Sequence, residues 1–226
     1  MSRAKIISYL NLKGGVGKST LTALTASFLH EKKKNVCVVD CDEDQKTIDL
    51  WKKEDIKNGI ATYDVYPVLS RDVPDTISEI LDEYDFIFVD FPGNMSQKGV
   101  KSIWPFLDVV IVPFYPNAEE VDPTVKFYNE FETYNDIRIK GGQNATVMKF
   151  FYYRTGRTKK GKAAMKDLED NGIDKLLLKN VIKHYDTMRD RSSTMDRMQK
   201  NSYGYHIDKL CNEVFEIINE TEVKEY

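Results

Sequence analysis

No stretch of this chain stays apolar for the roughly 18 residues that a membrane-spanning helix needs, so its organisation is not that of a bundle crossing a bilayer. Cysteine is scarce. Cys37, Cys41 and Cys211 make an odd number, and no two stand in a C-x-x-C pair. That argues against a disulfide framework and against a thiolate metal or iron–sulfur site, and the thiols read as reduced, as in a cytosol. Nothing repeats, and no low-complexity tail is present. The first strand-like run begins at Ala4, which predicts a chain with no cleaved signal and no extra N-terminal domain ahead of it.

What is present fits a water-soluble fold. An apolar share of 41% and a charged share of 31% over 226 residues suit one domain with a large core. The formal net charge of −3 conceals an asymmetry. Between Lys149 and Lys200 there are 14 Lys and Arg against 7 Asp and Glu, and the remainder of the chain is acidic. A basic segment in an acidic protein is a directional feature.

Short apolar runs alternate with amphipathic ones. Residues 4–11, 35–40, 84–90, 107–114 and 145–154 read as strands, and most are nearly continuous rather than alternating, as in strands covered on both faces. A weaker strand is expected over 61–69. Helical spacing covers 18–33, 46–57, 73–83, 121–134 and 160–171, and residues 139–144 read as a surface loop. Near the C-terminus, Ile207, Leu210, Cys211, Val214 and Ile217 or Ile218 recur at helical spacing, which predicts a docked final helix. The alternation predicts an α/β fold: a mostly parallel twisted sheet with helices on both faces, and ligands beyond the carboxyl ends of the strands.

One further absence is local. The phosphate-loop pattern G-x-x-x-x-G-K-[ST] ends at Gly17-Lys18-Ser19, but its first glycine should fall at position 12, which is Leu12. Beside it stand a second lysine, Lys13, and two glycines, Gly14 and Gly15. The loop follows a strand and opens a helix, the context in which such a motif wraps phosphate with backbone N–H groups and the positive helix end. Lys18 is placed to neutralise the β/γ-phosphates, Ser19 to offer its hydroxyl to Mg²⁺, and Thr20 to contact the region of the α-phosphate.

The run Lys13-Gly14-Gly15-Val16-Gly17-Lys18-Ser19-Thr20 resembles the deviant Walker A box of the ParA/MinD family of P-loop ATPases. The resemblance implies that ATP lies on Lys13–Thr20 and that Lys13 reaches across an ATP-dependent homodimer to the partner's bound phosphates. A fixed cation there would stabilise charge on the transferring phosphoryl group. After the second strand, Asp40 and Asp42 are similar to the family's D-x-D-P-Q segment, with Glu43 and Asp44 where Pro and Gln are expected. By resemblance Asp42 orients the attacking water and Asp40 holds metal-bound water. Asp90, ending an apolar strand before Pro92 and Gly93, matches the Walker B carboxylate that binds Mg²⁺ through water. The base would be met after the sixth strand, at Tyr153, Arg154 and Thr155, and near Val181–Lys183. Nothing in those residues separates adenine from guanine, so ATP comes from the resemblance.

The family acts on several cargoes. Residues 208–226 hold six acidic residues against Lys209 and Lys224, a charge that an anionic membrane would repel, so no membrane partner is expected. The basic residues between Arg154 and Lys200 are candidates for DNA binding without sequence preference. The resulting expectation is a slow cytoplasmic ParA-type ATPase, nucleoid-associated with ATP and stimulated by a ParB-like or other partner protein, that drives plasmid, chromosome or mobile-element partition. A protein cargo, a non-hydrolysing switch and a metabolic P-loop ligase remain alternatives.

Overall fold

In a computed structural model, residues 3–11, 13–43, 45–93, 100–154, 159–183, 193–196 and 202–222 are described. Seven strands form one sheet: β1 (Lys5–Tyr9), β2 (Val36–Asp40), β3 (Asp64–Pro67), β4 (Phe86–Asp90), β5 (Val109–Phe114), β6 (Val147–Arg154) and β7 (Ile182–Lys183). Their order is β3-β2-β4-β1-β5-β6-β7, and every pairing among them is parallel. The helices are α1 (Lys18–Glu31), α2 (Thr47–Lys57), α3 (Val73–Ile80), α4 (Ala118–Lys140), α5 (Lys159–Asp170) and α6 (Ser202–Glu220).

The continuous apolar runs become central strands because both faces of the sheet are covered. Side chains alternate across a strand. Ile6, Cys37, Val39, Ile87, Val89, Val110 and Val112 join the core under α3, α4 and α5. Ile7, Val36, Val38, Phe86, Phe88, Val109 and Ile111 join the core under α1, the start of α2, and α6. In α6 the residues that insert are Ile207, Leu210, Cys211, Val214 and Ile218, with Ile217 only partly covered. The weak strand is real but short. β3 lies at the sheet edge with Pro67 as its last residue; proline has no N–H to give, and the next amide, Val68, donates to the Asp40 carbonyl. All three cysteines are buried free thiols.

Boundaries moved where tertiary partners intervene. The helix expected over 121–134 runs from Ala118 to Lys140. Its start follows the extended Asn117, with Glu119 and Glu120 in the first turn. Its extension is fastened by Asn135, which pairs with Thr146 through both amide atoms, and by Arg138, whose guanidinium donates to the carbonyls of Pro105 (2.7 Å) and Asn144 (2.9 Å). The loop expected over 139–144 is thereby shortened to a turn closed by Gly142 at φ 80°. A 3₁₀ turn over Val100–Phe106, not foreseen, plants Trp104 against Phe127, Phe131 and Tyr134.

One polar anchor ties α1 and α2 to the segment 193–196. Asp55 is 1% exposed and accepts from both the Thr194 amide (2.8 Å) and its hydroxyl (2.5 Å), while the Ser27 hydroxyl donates to the Thr194 carbonyl. Asp55→Ala is expected to lower stability by about 1–3 kcal/mol, because the buried Thr194 amide loses its acceptor while the Thr194 hydroxyl keeps Thr62. Urea denaturation measures it, and a loss below about 0.5 kcal/mol, the usual size of a surface change, would contradict it.

Candidate functional site

The parallel order sets β1, β2 and β4 side by side, so the loops after them meet at one end of the sheet. The turn from β1 into α1 is shaped by glycine. Gly15 and Gly17 take φ of 76° and 81°, in the left-handed region that favours glycine. Gly17 caps α1, and a Cβ there would run into the Tyr153 hydroxyl. Gly14 meets the loop after β4, its Cα 3.4 Å from where a Cβ on Gly93 would stand. Gly17→Ala is expected to cost at least about 1–2 kcal/mol from the backbone angle alone. Adding Tyr153→Phe removes the clash but not the angle, so thermal melts of the double variant should show only partial recovery.

Around this turn lies a cavity of about 390 Å³ lined by Gly14, Gly15, Gly17, Lys18, Ser19, Thr20, Asp42, Gln45, Thr47, Trp51, Phe91, Gly93 and Tyr153. Glycine backbone, one ammonium, hydroxyl-bearing side chains and a carboxylate thus share one concave surface. Lys18 is 5% exposed and its Nζ lies 3.4 Å from the Lys13 carbonyl. Burial pulls its pKa down, against the opposing fields of Asp90 and Asp42.

Asp40 and Asp90 are neighbours in register across β2 and β4. Their roles differ. Asp40 Oδ1 accepts the Asp42 amide (3.2 Å), and its Oδ2 accepts the amides of Ile48 (3.1 Å) and Asp49 (3.0 Å) in the first turn of α2. Three of a carboxylate's roughly four acceptor positions are so taken. Burial raises the Asp40 carboxyl above its usual range, and the amides pull it back. Asp90 is fully buried, and among the described residues neither of its oxygens has a hydrogen-bond partner. Burial, with the Asp40 charge beside it, pushes its pKa up to about 8. The Ser19 hydroxyl is near enough to favour the charged form, yet stands outside hydrogen-bonding geometry. An orphaned carboxylate under a glycine loop is the observation that a bound divalent cation would explain, and Ser19 with Asp90 is the donor set Mg²⁺ takes in such loops.

The loop from β2 to α2 departs from the expected frame. Gln45, three residues beyond Asp42 rather than two, enters the cavity, and its backbone N–H donates to Asp42 Oδ1 at 3.1 Å. Glu43 turns away and accepts the Ser70 amide at 3.0 Å. Asp44 lies outside the described residues. Lys46, the next residue, is a non-glycine at φ 44°, in the left-handed region, at the start of α2.

The remaining expected residues fall as follows. Val16 is buried, so only its backbone can face phosphate. Lys13 is not part of the cavity lining; its ammonium pairs with Glu120 at 3.2 Å. Tyr153 lines the cavity, stacked on Tyr115. Arg154 ends β6 beside Lys183, in register with it, which brings together the two segments expected near the base. The Arg154 side chain and Thr155 lie outside the described residues. Sequence reasoning missed Gln45, Thr47, Trp51 and Phe91. Thr47 and Trp51 stand four apart on α2 and so share a face, a signal that could have found them once that helix was known to start at the cavity.

The comparisons agree with this geometry. A family model described as CbiA, the CobQ/CobB/MinD/ParA nucleotide binding domain, matches residues 7–210. An uncharacterized ATP-binding protein of Methanocaldococcus jannaschii is 30% identical over 148 residues, 60% of this chain and 53% of that protein. The chain spans about half the length of the curated relatives it matches. Two solved structures share the fold. The septum site-determining protein MinD of Pyrococcus horikoshii, complexed with Mg-ADP, superposes with a TM-score of 0.67 at 22% identity, over 95% of this chain and 97% of that one. An ATP complex of a Cyanothece McdA variant gives 0.71 at 13% identity over 100% of both. A seven-stranded parallel sheet with a glycine loop at its carboxyl end, matched over nine-tenths of its length by one family model, places this chain in the CobQ/CobB/MinD/ParA family of nucleotide-binding domains.

Proposed function

We propose that the chain is a ParA-type ATPase: it binds ATP on Gly14–Thr20, joins a second copy when ATP is bound, hydrolyses it slowly, and in the dimer holds DNA without sequence preference to partition a replicon. The observation that carries this reading is the division of the two lysines. Lys18 lines the cavity and Lys13 does not, which suits a cation meant for another subunit's nucleotide.

Lys18 and the loop amides hold the β/γ-phosphates. The Ser19 hydroxyl and Asp90 would hold Mg²⁺, which would neutralise phosphate charge. Asp42, with Gln45 beside it, orients water for attack on the terminal phosphorus and accepts its proton. Asp40 fixes the frame of that loop against α2, with its remaining acceptor position available to a metal-bound water. The partner's Lys13 stabilises the departing charge. Hydrolysis then loosens the dimer and its grip on DNA, and a ParB-like partner would set its timing.

The positive segment between Lys149 and Lys200 supports the nucleic-acid part. Among the described residues no helix is long and apolar enough to cross a membrane. The deciding measurement is retention of duplex DNA with ATP, ADP and no nucleotide at two salt concentrations. Binding should require ATP, ignore sequence and weaken steeply with salt. Equal binding in all three states would remove the partition reading, and no binding with intact ATPase activity would favour a protein cargo.

A further inference from the structure

Lys13 is not a free surface lysine. Its ammonium lies 3.2 Å from Glu120 Oε1, and the other oxygen of that carboxylate accepts the Tyr115 amide at 2.9 Å. Glu120 sits in the first turn of α4 with its side chain only 7% exposed, whereas the Lys13 side chain is 39% exposed. A carboxylate is favoured at that position by the helix dipole and by the amide it accepts. The glutamate is therefore the fixed member of the pair and the lysine the movable one. The backbone around the lysine is fixed as well: its amide donates to Asn11 Oδ1 (3.0 Å), and Asn11 Nδ2 donates to the Pro113 carbonyl (2.7 Å). These bonds tie the turn after β1 to β5 and leave the Lys13 side chain alone able to choose a new partner.

We propose that Glu120 is an intrachain counter-ion that parks Lys13 within its own subunit and releases it only to the terminal phosphate of a partner's ATP. This rests on the dimeric ATPase reading above. One ammonium cannot keep full contact with the buried carboxylate and also serve a second subunit's phosphate. Leaving Glu120 costs more than an exposed ion pair would, because the carboxylate left behind is desolvated. A γ-phosphate, with more charge and more acceptor oxygens than one carboxylate, can meet that cost, and ADP cannot. Glu120 is thus a positioning residue that makes assembly discriminate between the two nucleotides.

Glu120→Gln tests this cleanly, since glutamine keeps the acceptor for the Tyr115 amide and removes only the charge. Two readouts are needed: amine acylation of Lys13 in the nucleotide-free protein, read by mass spectrometry, and sedimentation equilibrium with a non-hydrolysable ATP analogue or ADP. Lys13 should label several-fold faster in Glu120→Gln. The variant should dimerise at about tenfold lower concentration with the analogue, and should begin to dimerise with ADP. In a Lys13→Ala background the same change should bring no gain, which a merely structural role for Glu120 would not reproduce. Unchanged labelling, unchanged or weaker dimerisation, or an equal gain without Lys13 would overturn the latch. If the wild-type protein stays monomeric with the analogue, the dimeric reading itself falls and takes the latch with it.

Discussion

Lys13→Ala is expected to lower ATP turnover by about 10³-fold, the lower end of what a trans-acting cation supplies in phosphoryl transfer. ATP affinity of the single chain should stay within about threefold, well under the roughly 1.4 kcal/mol that a tenfold change represents. The two lysines of one loop are separated by what they face. Lys18 is buried against Asp42 and Asp90 on the cavity side, whereas Lys13 turns to Glu120 outside it. Lys18→Ala should therefore reverse the pattern and abolish binding first. Phosphate release under saturating ATP and titration with a fluorescent ATP analogue measure the two quantities separately. A Lys13→Ala protein that hydrolyses normally would place the chain among non-hydrolysing or single-subunit switches, and one that loses binding would place Lys13 in its own cavity.

Asp90→Asn should stabilise the empty protein and disable it. In the metal-free state the wild-type chain keeps a carboxyl fully buried, without a hydrogen-bond partner among the described residues, one strand from Asp40. Its pKa is raised from 3.8 to about 8. The folded state binds this proton more tightly than the unfolded state, so folding is penalised progressively as pH rises from about 4 to about 8, and the full penalty remains above that. Asparagine is close to the carboxyl in shape and carries no charge. In EDTA at pH 8 the variant should melt higher by at least about 2–4 °C, the shift that about 1 kcal/mol produces in a chain of this length. Its advantage should vanish toward pH 4. With ATP and Mg²⁺ the order should invert, because only the wild-type protein gains ligand stabilisation that depends on the metal. Scanning calorimetry at pH 5, 6.5 and 8, with and without Mg-ATP, distinguishes the cases. A variant that melts lower in EDTA at pH 8 would show that Asp90 is compensated by something other than a cation.

Much of the fold was legible because the apolar runs were continuous. A run such as Val109–Phe114, buried at every residue, can be satisfied only between two layers of helices, and several such runs with helical spacing between them leave few arrangements. Helix ends were less legible. Asn135 and Arg138 extend α4 through bonds to Thr146, Pro105 and Asn144, partners that only the folded chain supplies. The short β7 could not be read as a strand because two residues carry no period; it exists because the end of β6 offers an open edge.

The candidate site divides in the same way. The sequence by itself determined the glycine loop, the order Lys13, Lys18, Asp42, Asp90, and the family, because phosphate wrapping demands particular residue types at fixed spacing on one short segment. The tertiary structure alone decided which carboxylate is already spent and which is not. Asp40 and Asp90 each end an apolar strand, but the position of α2 adds two amides to the Asp42 amide that Asp40 accepts, whereas Asp90 accepts none from the described residues. It also decided that Gln45, and not Glu43, enters the cavity, since Glu43 is held by the Ser70 amide. The pairing of Lys13 with Glu120 joins residues far apart in the chain, and no local spacing encodes it. It arises because β1 and β5 are adjacent in the sheet, so that the turn after one strand meets the helix that follows the other.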